Sequence, residues 1–237
     1  MRTVRRFIRQ CLRRSGIELS RYSWPRLIAT VAPDVVLDIG ANIGQYVEEL
    51  RAAGYRKRIV SFEPLSSAHA ALVHRSARDA NWSIAPRMAL GDAENEQRIH
   101  IAGNSFSSSL LEMGELHRQA APTAAYVASE TVQVRRLDGV APEYVRDGER
   151  CLIKIDVQGY EQRVLKGAPQ TLARAAALQF EASLTPLYDG EATLQALVEY
   201  VTASGLELWS LLPAFTDPRS GRLLQVDCFF VRPGMLG

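Results

Sequence analysis

Val36-Leu37-Asp38-Ile39-Gly40-Ala41-Asn42-Ile43-Gly44-Gln45 decides the fold of this 237-residue chain. A short apolar run ends in two glycines and passes directly into a helix-forming stretch. Glycine lets the backbone turn tightly and approach a ligand, and the first strand-to-helix turn of a parallel α/β sheet is where nucleotides bind.

Outward from that turn, apolar runs of strand length alternate with helical stretches, the pattern of a mostly parallel sheet covered by helices on both faces. The sequence predicts strands at 35–39, 58–63, 84–90, 151–156, 177–181, 206–212 and 223–231. It predicts helices at 45–53, 66–81, 160–165 with a continuation after Pro169, and 191–203. Gly54, Gly167 and Gly205 stand at the expected helix C-termini. The interval 92–150 breaks the rhythm. Two alternating stretches, 97–102 and 131–137, enclose the Ser-rich segment Gly103 to Ser109 and a short helical stretch through His117. An insertion of that size is a candidate lid or substrate loop.

Hydrophobic residues make up 47% and charged residues 23% of the chain, so disordered, collagen-like and disulfide-scaffold classes are excluded. The length fits one large domain, 33–237, with an appendage at 1–32. Residues 1–26 hold eight arginines and one acid, Glu18, while the remainder holds 20 basic and 25 acidic residues. A mildly acidic body argues against a nucleic-acid partner. Val4, Phe7, Ile8, Cys11 and Leu12 recur at helical spacing among the arginines, so a basic amphipathic N-terminal helix is expected. Its apolar stripe has three uses: docking on its own domain or a second subunit, peripheral contact with an anionic membrane, or a transit peptide. Three cysteines in apolar surroundings, no membrane-length apolar run and no secretory signal point to the cytoplasm.

The chemistry is expected at the strand ends. A dinucleotide site wants G-x-G-x-x-G, with a middle glycine so that the backbone can touch the pyrophosphate. Here Asn42 takes the middle position, and Gln45 or Val47 stands where the last glycine would. Asp38 at the mouth of the loop repels phosphate and attracts an ammonium group. S-adenosylmethionine carries an ammonium and a sulfonium and no phosphate, so it is the expected cofactor. Glu63, closing the second strand before Pro64, is placed to accept the ribose hydroxyls, and Asp92 in the Gly91-Asp92 turn is placed to meet the adenine amino group. Asp156 ends Cys151-Leu152-Ile153-Lys154-Ile155-Asp156 beside the switch point. It is the candidate group near the sulfonium and the acceptor hydroxyl, with Lys154 on the same face to compensate its burial. Glu181 closes the next strand and could orient or deprotonate the acceptor with Asp156. Two acids are fewer oxygen ligands than a protein site usually supplies, so a divalent cation is not favoured. His117 is a candidate general base. A nicotinamide oxidoreductase and a non-catalytic nucleotide-binding module share this pattern and stay open as alternatives.

Taken together, Val36 to Tyr46 (VLDIGANIGQY), Phe62-Glu63-Pro64, Ala89-Leu90-Gly91-Asp92, Asn104 to Leu110 (NSFSSSL), Leu137-Asp138, Ile153 to Ala168 (IKIDVQGYEQRVLKGA) and Gly221 to Phe230 (GRLLQVDCFF) resemble the FkbM family of S-adenosylmethionine-dependent methyltransferases. The resemblance covers about residues 33–232, and the IDVQGYE block is its most family-specific part. It implies a Rossmann-like seven-stranded class I methyltransferase fold with an antiparallel last strand, and O-methylation of a sugar, glycolipid or small secondary metabolite. By motif position it implies that Asp38, Gly40, Asn42, Gly44 and Glu63 bind the cofactor and that Asp156 lies beside the transferring methyl. Many members carry Glu where this chain has Gln158; Glu161 is retained.

Overall fold

The computed structural model describes residues 24–235. The expected amphipathic helix of residues 4–12 lies outside them. The first described element is helix α1 (Trp24–Val31), whose Leu27, Ile28 and Val31 are buried against the sheet of their own domain.

Seven strands form the main sheet: β1 (Val35–Ile39), β2 (Arg58–Phe62), β3 (Trp82–Ile84), β7 (Cys151–Ile155), β8 (Ala177–Ser183), β9 (Glu207–Pro213) and β10 (Gln225–Val231). Their order is β3-β2-β1-β7-β8-β10-β9. The first five are parallel, and β10 runs antiparallel to both β8 and β9. β1 and β7 are buried along their whole length, which is why they read as continuous apolar runs. Helices α2 (Gln45–Ala52) and α3 (Ser66–Ser76) cover one face. On the other lie α5 (Leu137–Val140), α6 (Glu161–Lys166), α7 (Pro169–Arg174) and α8 (Leu194–Ala203). One core gathers Leu37, Ile39, Ile153, Leu178, Phe180 and Phe230; the other gathers Val36, Leu50, Leu152, Ala177 and Phe229. The alternation along each strand thus divides its side chains between two layers.

The expected single strand at 84–90 is two. β3 belongs to the main sheet, whereas β4 (Ala89–Leu90) joins a second, three-stranded sheet with β6 (Tyr126–Arg135) and β5 (Asn95–Ala102), in the order β4-β6-β5. Pro86, with no N–H to give a ladder, separates the two. The small sheet seats on α3 through Leu65, Ala68, Ala89, Ile99 and Val134. The expected strand 131–137 starts earlier, at Tyr126, and stops at Arg135, because Leu137 already opens α5. The short helix through His117 is α4 (Glu115–Ala120).

From β1 the chain crosses to β2 on one side, and β7 later enters on the other, so the strand order reverses at β1. A crevice opens there at the carboxyl ends of the strands, the ordinary ligand position in such sheets. Among the described residues no helix is long and apolar enough to cross a membrane, and Cys151 and Cys228 are buried and unpaired.

Candidate active site

A cavity of about 260 Å³ occupies that crevice. Its floor is the turn after β1. Gly40 sits at φ +78°, and a Cβ on it would fall 1.8 Å from the Asp156 carbonyl oxygen, so only glycine lets the turn after β1 pass the end of β7. Gly44 does not line the cavity. At φ +94° it leads into α2, where a Cβ would strike the Trp82 ring at 2.7 Å. Both glycines therefore serve backbone approach, one to the site and one to packing.

Glu63 lines one end of the cavity and is buried. Its Oε2 accepts the Asn42 N–H at 2.7 Å and its Oε1 accepts the Leu65 N–H at 2.8 Å. Burial pushes its carboxyl up to about 7, against the pull of those two amides. Each oxygen keeps a lone pair for a further donor. Asn42 and Gln45 line the same end, and Asn42 Oδ1 and Gln45 Nε2 are buried without a partner. Apolar side chains Phe62, Leu65, Met88, Leu90, Ile99 and Leu110 wall the space next to Pro64.

Acids gather at the other end. Ile155 pairs with Phe180, which puts Asp156 level with Glu181, and Glu181 pairs directly with Asp227. Three carboxylates thus stand in one row across β7, β8 and β10, all lining the cavity. Like charges in register destabilise a sheet. Glu181 is pushed well above the usual carboxylate range by burial and then by Asp156 and Asp227. Asp227 rises to about 6 by burial and the nearby Asp156. Lys154 is the cation of this end. Its Nζ lies 3.4 Å from Asp38 Oδ1 and 3.4 Å from Asp156 Oδ2, and 5.4 Å over the Tyr46 ring. Burial works against its charge, but the two carboxylates outweigh it and hold the ammonium above its ordinary range. The expected sharing of burial between Lys154 and Asp156 is present, with Asp38 as a third member.

Besides Gly44, three expectations need correction. Asp38 is not at the mouth of the loop. It is fully buried beneath it, accepting Ser61 Oγ at 3.0 Å, and its carboxyl is raised by burial against the opposing pull of Lys154. It shares a face with Val36, so β-strand alternation aims it into the helix-covered layer. Asp92 does not line the cavity either. Its carboxylate pairs with Arg163 at 2.8 Å and its carbonyl accepts Arg136 at 2.7 Å. The reason lies in Gly167, where a Cβ would fall 1.9 Å from the Gly91 carbonyl oxygen, so the turn at 91 is pressed against the end of α6 and Asp92 faces that helix. His117 is likewise outside the cavity, buried edge-on to Tyr188 at 5.0 Å between ring centroids, with burial lowering its pKa. It is a core residue of the small cluster formed by Met113, Ala124, Leu187 and Leu224.

The structure brings together Gly40, Asn42, Gln45, Glu63, Pro64, Asp156 and Glu181 around one cavity. Sequence reasoning missed Gln158, Gln179 and Asp227, which line it too. Gln179 and Asp227 were detectable as polar residues inside otherwise apolar strands. Gln158 was visible only as a departure from the Glu that many FkbM members carry, and its place in the cavity depends on a left-handed backbone at φ +54°. Among the described residues no group of three or more His, Cys, Asp or Glu side chains is arranged to hold a metal ion.

A family model described as the methyltransferase FkbM domain matches residues 38–212. The chain is similar to the AMB antimetabolite synthetase AmbE of Pseudomonas aeruginosa, 26% identical over 231 aligned positions that cover 85% of this chain and 11% of AmbE. It therefore spans about a tenth of that relative's length. Among solved structures it is similar to TehB from Haemophilus influenzae, with a TM-score of 0.47 and 11% identity, covering 87% of this chain and 60% of TehB, less than two thirds of that protein. It is also similar to Aeropyrum pernix fibrillarin in complex with S-adenosyl-L-methionine, with a TM-score of 0.49 and 12% identity, covering 87% of this chain and 74% of fibrillarin.

Proposed function

The chain belongs to the FkbM family of S-adenosylmethionine-dependent methyltransferases, and from that premise we propose that it methylates a hydroxyl oxygen on a sugar, a glycolipid or another small metabolite. The observation that carries this reading is the buried Glu63 carboxylate, held by two backbone N–H groups at one end of the cavity that has Asp156 and Glu181 at the other. When bound, S-adenosylmethionine supplies the electrophilic methyl carbon on its sulfonium.

The residues fit that cofactor. Glu63 accepts the ribose hydroxyls, and the orphaned amide atoms of Asn42 and Gln45 meet polar groups near the turn. The apolar wall around Met88 and Leu90 takes the adenine ring. Carboxylates against the single Lys154 favour a cation and oppose a pyrophosphate, which weighs against the nicotinamide reading. Asp156 faces the acceptor hydroxyl. As the new C–O bond forms and the S–C bond breaks, Glu181, level with Asp156 at the same end of the cavity, would take the hydroxyl proton in its ionised form, which a bound sulfonium cation would favour. Most of the rate then comes from positioning. Residues 33–237 form the methyltransferase domain in this reading, with 92–150 as an insertion bordering the acceptor and 1–32 as an appendage for self-association or membrane contact. The unpaired Cys151 and Cys228 support a reducing compartment such as the cytoplasm.

Calorimetric titration with S-adenosylhomocysteine, with NAD as control, tests the cofactor. Micromolar binding of S-adenosylhomocysteine that is lost in Glu63→Ala is expected. No binding to demonstrably folded protein overturns the reading. A screen of glycosyl and lipid-linked hydroxyl acceptors then tests the oxygen chemistry, and transfer to nitrogen alone overturns that part.

A further inference from the structure

We propose that Gln158 is a positioning residue that fixes Asp156 and Glu181 relative to each other with its side-chain amide and ties both to the Ser-rich segment 103–109 through Tyr188. The proposal rests on reading this cavity as the methyl-transfer site.

Every hydrogen-bonding group of this side chain is committed. Gln158 Nε2 donates to Asp156 Oδ1 at 2.8 Å and reaches Glu181 Oε2 at 3.4 Å. Its Oε1 accepts the Tyr188 hydroxyl at 2.8 Å. The same hydroxyl lies 3.3 Å from the Ser107 carbonyl, and Ser109 Oγ donates to the Gln158 carbonyl at 2.7 Å. Two donors toward two acids and one acceptor toward a hydroxyl are what a neutral amide offers and a carboxylate cannot.

The backbone is bent to achieve this. Gln158 at φ +54° and Gly159 at φ +92° are consecutive left-handed residues. A Cβ on Gly159 would meet the Tyr188 ring at 2.8 Å, so the tyrosine packs directly against the turn. Left-handed backbone at a non-glycine residue is strained and persists where surrounding contacts enforce it. Here the contacts run to the two acids on one side and to the loop on the other. An N–H donor between two carboxylates relieves their repulsion in the way a bound cation would, and a carboxylate in its place would add an oxygen ligand beside Asp156 and Glu181. Lys154 from β7, Asp227 from β10 and Glu161 from α6 are the other charged groups that act on Glu181. Glu161 carries the turn itself, accepting the Val157 N–H at 3.1 Å.

The test needs no acceptor. In ¹⁵N-labelled protein the Gln158 side-chain cross-peaks are identified by their loss in Gln158→Ala. They are expected to move with pH as Glu181 titrates, to lose that part of the movement in Glu181→Gln, and to shift in Tyr188→Phe. Side-chain peaks that ignore pH and both variants overturn the proposal. Independently, Gln158→Glu is expected to bind Mn²⁺ about tenfold or more tightly than the wild type, measured by paramagnetic line broadening, and to lose that gain when Glu181→Gln is added. Equal Mn²⁺ affinity in a folded Gln158→Glu protein overturns the claimed convergence. Should that variant fail to fold, the wild-type pH titration and Tyr188→Phe still decide. Addition of S-adenosylhomocysteine to the same samples separates the two readings: pH-responsive Gln158 peaks without any ligand-induced shift leave the positioning role standing and sink the methyl-transfer reading.

Discussion

Glu63→Gln removes one charge and changes almost no volume, and its effect on cofactor binding can be worked through in advance. In the wild type both oxygens already accept backbone N–H groups, at 2.7 and 2.8 Å. The substituted amide must turn its NH₂ toward one of those donors. Two ribose hydroxyls also lose a charged acceptor. A hydrogen bond to a charged group contributes about 1.5–3 kcal/mol, so S-adenosylhomocysteine affinity at pH 8 should fall roughly 10- to 150-fold. The pH dependence is the sharper signature. The Glu63 carboxyl is pushed up to about 7 by burial, and ribose hydroxyls bind its ionised form best. Below pH 7 the dissociation constant of the wild type should therefore rise about tenfold per pH unit, and binding at pH 6 should release close to one proton. Glu63→Gln should bind with no such slope beyond what Asp227 and other shared groups contribute. Isothermal titration in two buffers of different ionisation enthalpy, from pH 5.5 to 8, measures both quantities. A flat profile in the wild type, or the same slope in the variant, refutes the assignment of Glu63 to the ribose.

Other perturbations separate structural roles. Gly40→Ala should abolish cofactor binding and cost several kcal/mol, because the new Cβ falls 1.8 Å from a carbonyl oxygen, whereas Gly54→Ala, at φ +92° with nothing within 4 Å, should cost only about 1–2 kcal/mol of torsional strain in denaturant titrations; equal costs would contradict the close-approach reading. Burial raises the Glu161 carboxyl to about 8, so its contribution to stability is full below about pH 4.5 and is lost as pH rises through 8. Glu161→Gln, which stays neutral and still accepts the Val157 N–H, should gain on the wild type by up to about 1.4 kcal/mol per pH unit between pH 5 and 8; a pH-independent difference in denaturation midpoint counts against it. Burial lowers the His117 pKa, so its contribution is present above about pH 6.5 and lost as pH falls below that. His117→Phe should remove this acid sensitivity from thermal melts while cofactor affinity holds, and a large loss of affinity would return His117 to the site.

The main sheet was legible because β1, β7 and β8 are buried on both faces and so are written as unbroken apolar runs, with glycine at Gly40 and Gly54 where the backbone turns left-handed. Gly167 was read as a helix terminus from position alone. Its actual constraint is a neighbouring backbone at Gly91, which no local pattern encodes. Glu63 and Asp156 were visible as strand-terminal acids. Asp92 and His117 resembled site residues in one dimension, but their orientation is set by contacts with Arg163 and Tyr188, far away in sequence. Asp38 was misplaced by a single rule that was available. It lies two residues after Val36 on a strand, so it had to share that residue's buried face. The small sheet was hidden because β4 has two residues and pairs with a strand about 45 positions later.

The charge distribution of the cavity also accounts for how one site can handle both sides of the proposed transfer. Before reaction the site takes up a cofactor with a sulfonium charge, in a cavity where carboxylates outnumber the one lysine. Transfer to a hydroxyl removes that sulfonium charge and leaves one proton, so the total charge in the cavity is unchanged if the proton stays there. Asp156, Glu181 and Asp227, level with one another across three strands, are the groups whose mutual repulsion falls when a proton is added. The loss of sulfonium attraction and the gain of a proton on Glu181 therefore offset each other within one row of side chains. Under the proposed function, the row in register, more than any individual acid, is what would suit this cavity to oxygen as the acceptor, because a hydroxyl gives up its proton only as the new bond forms.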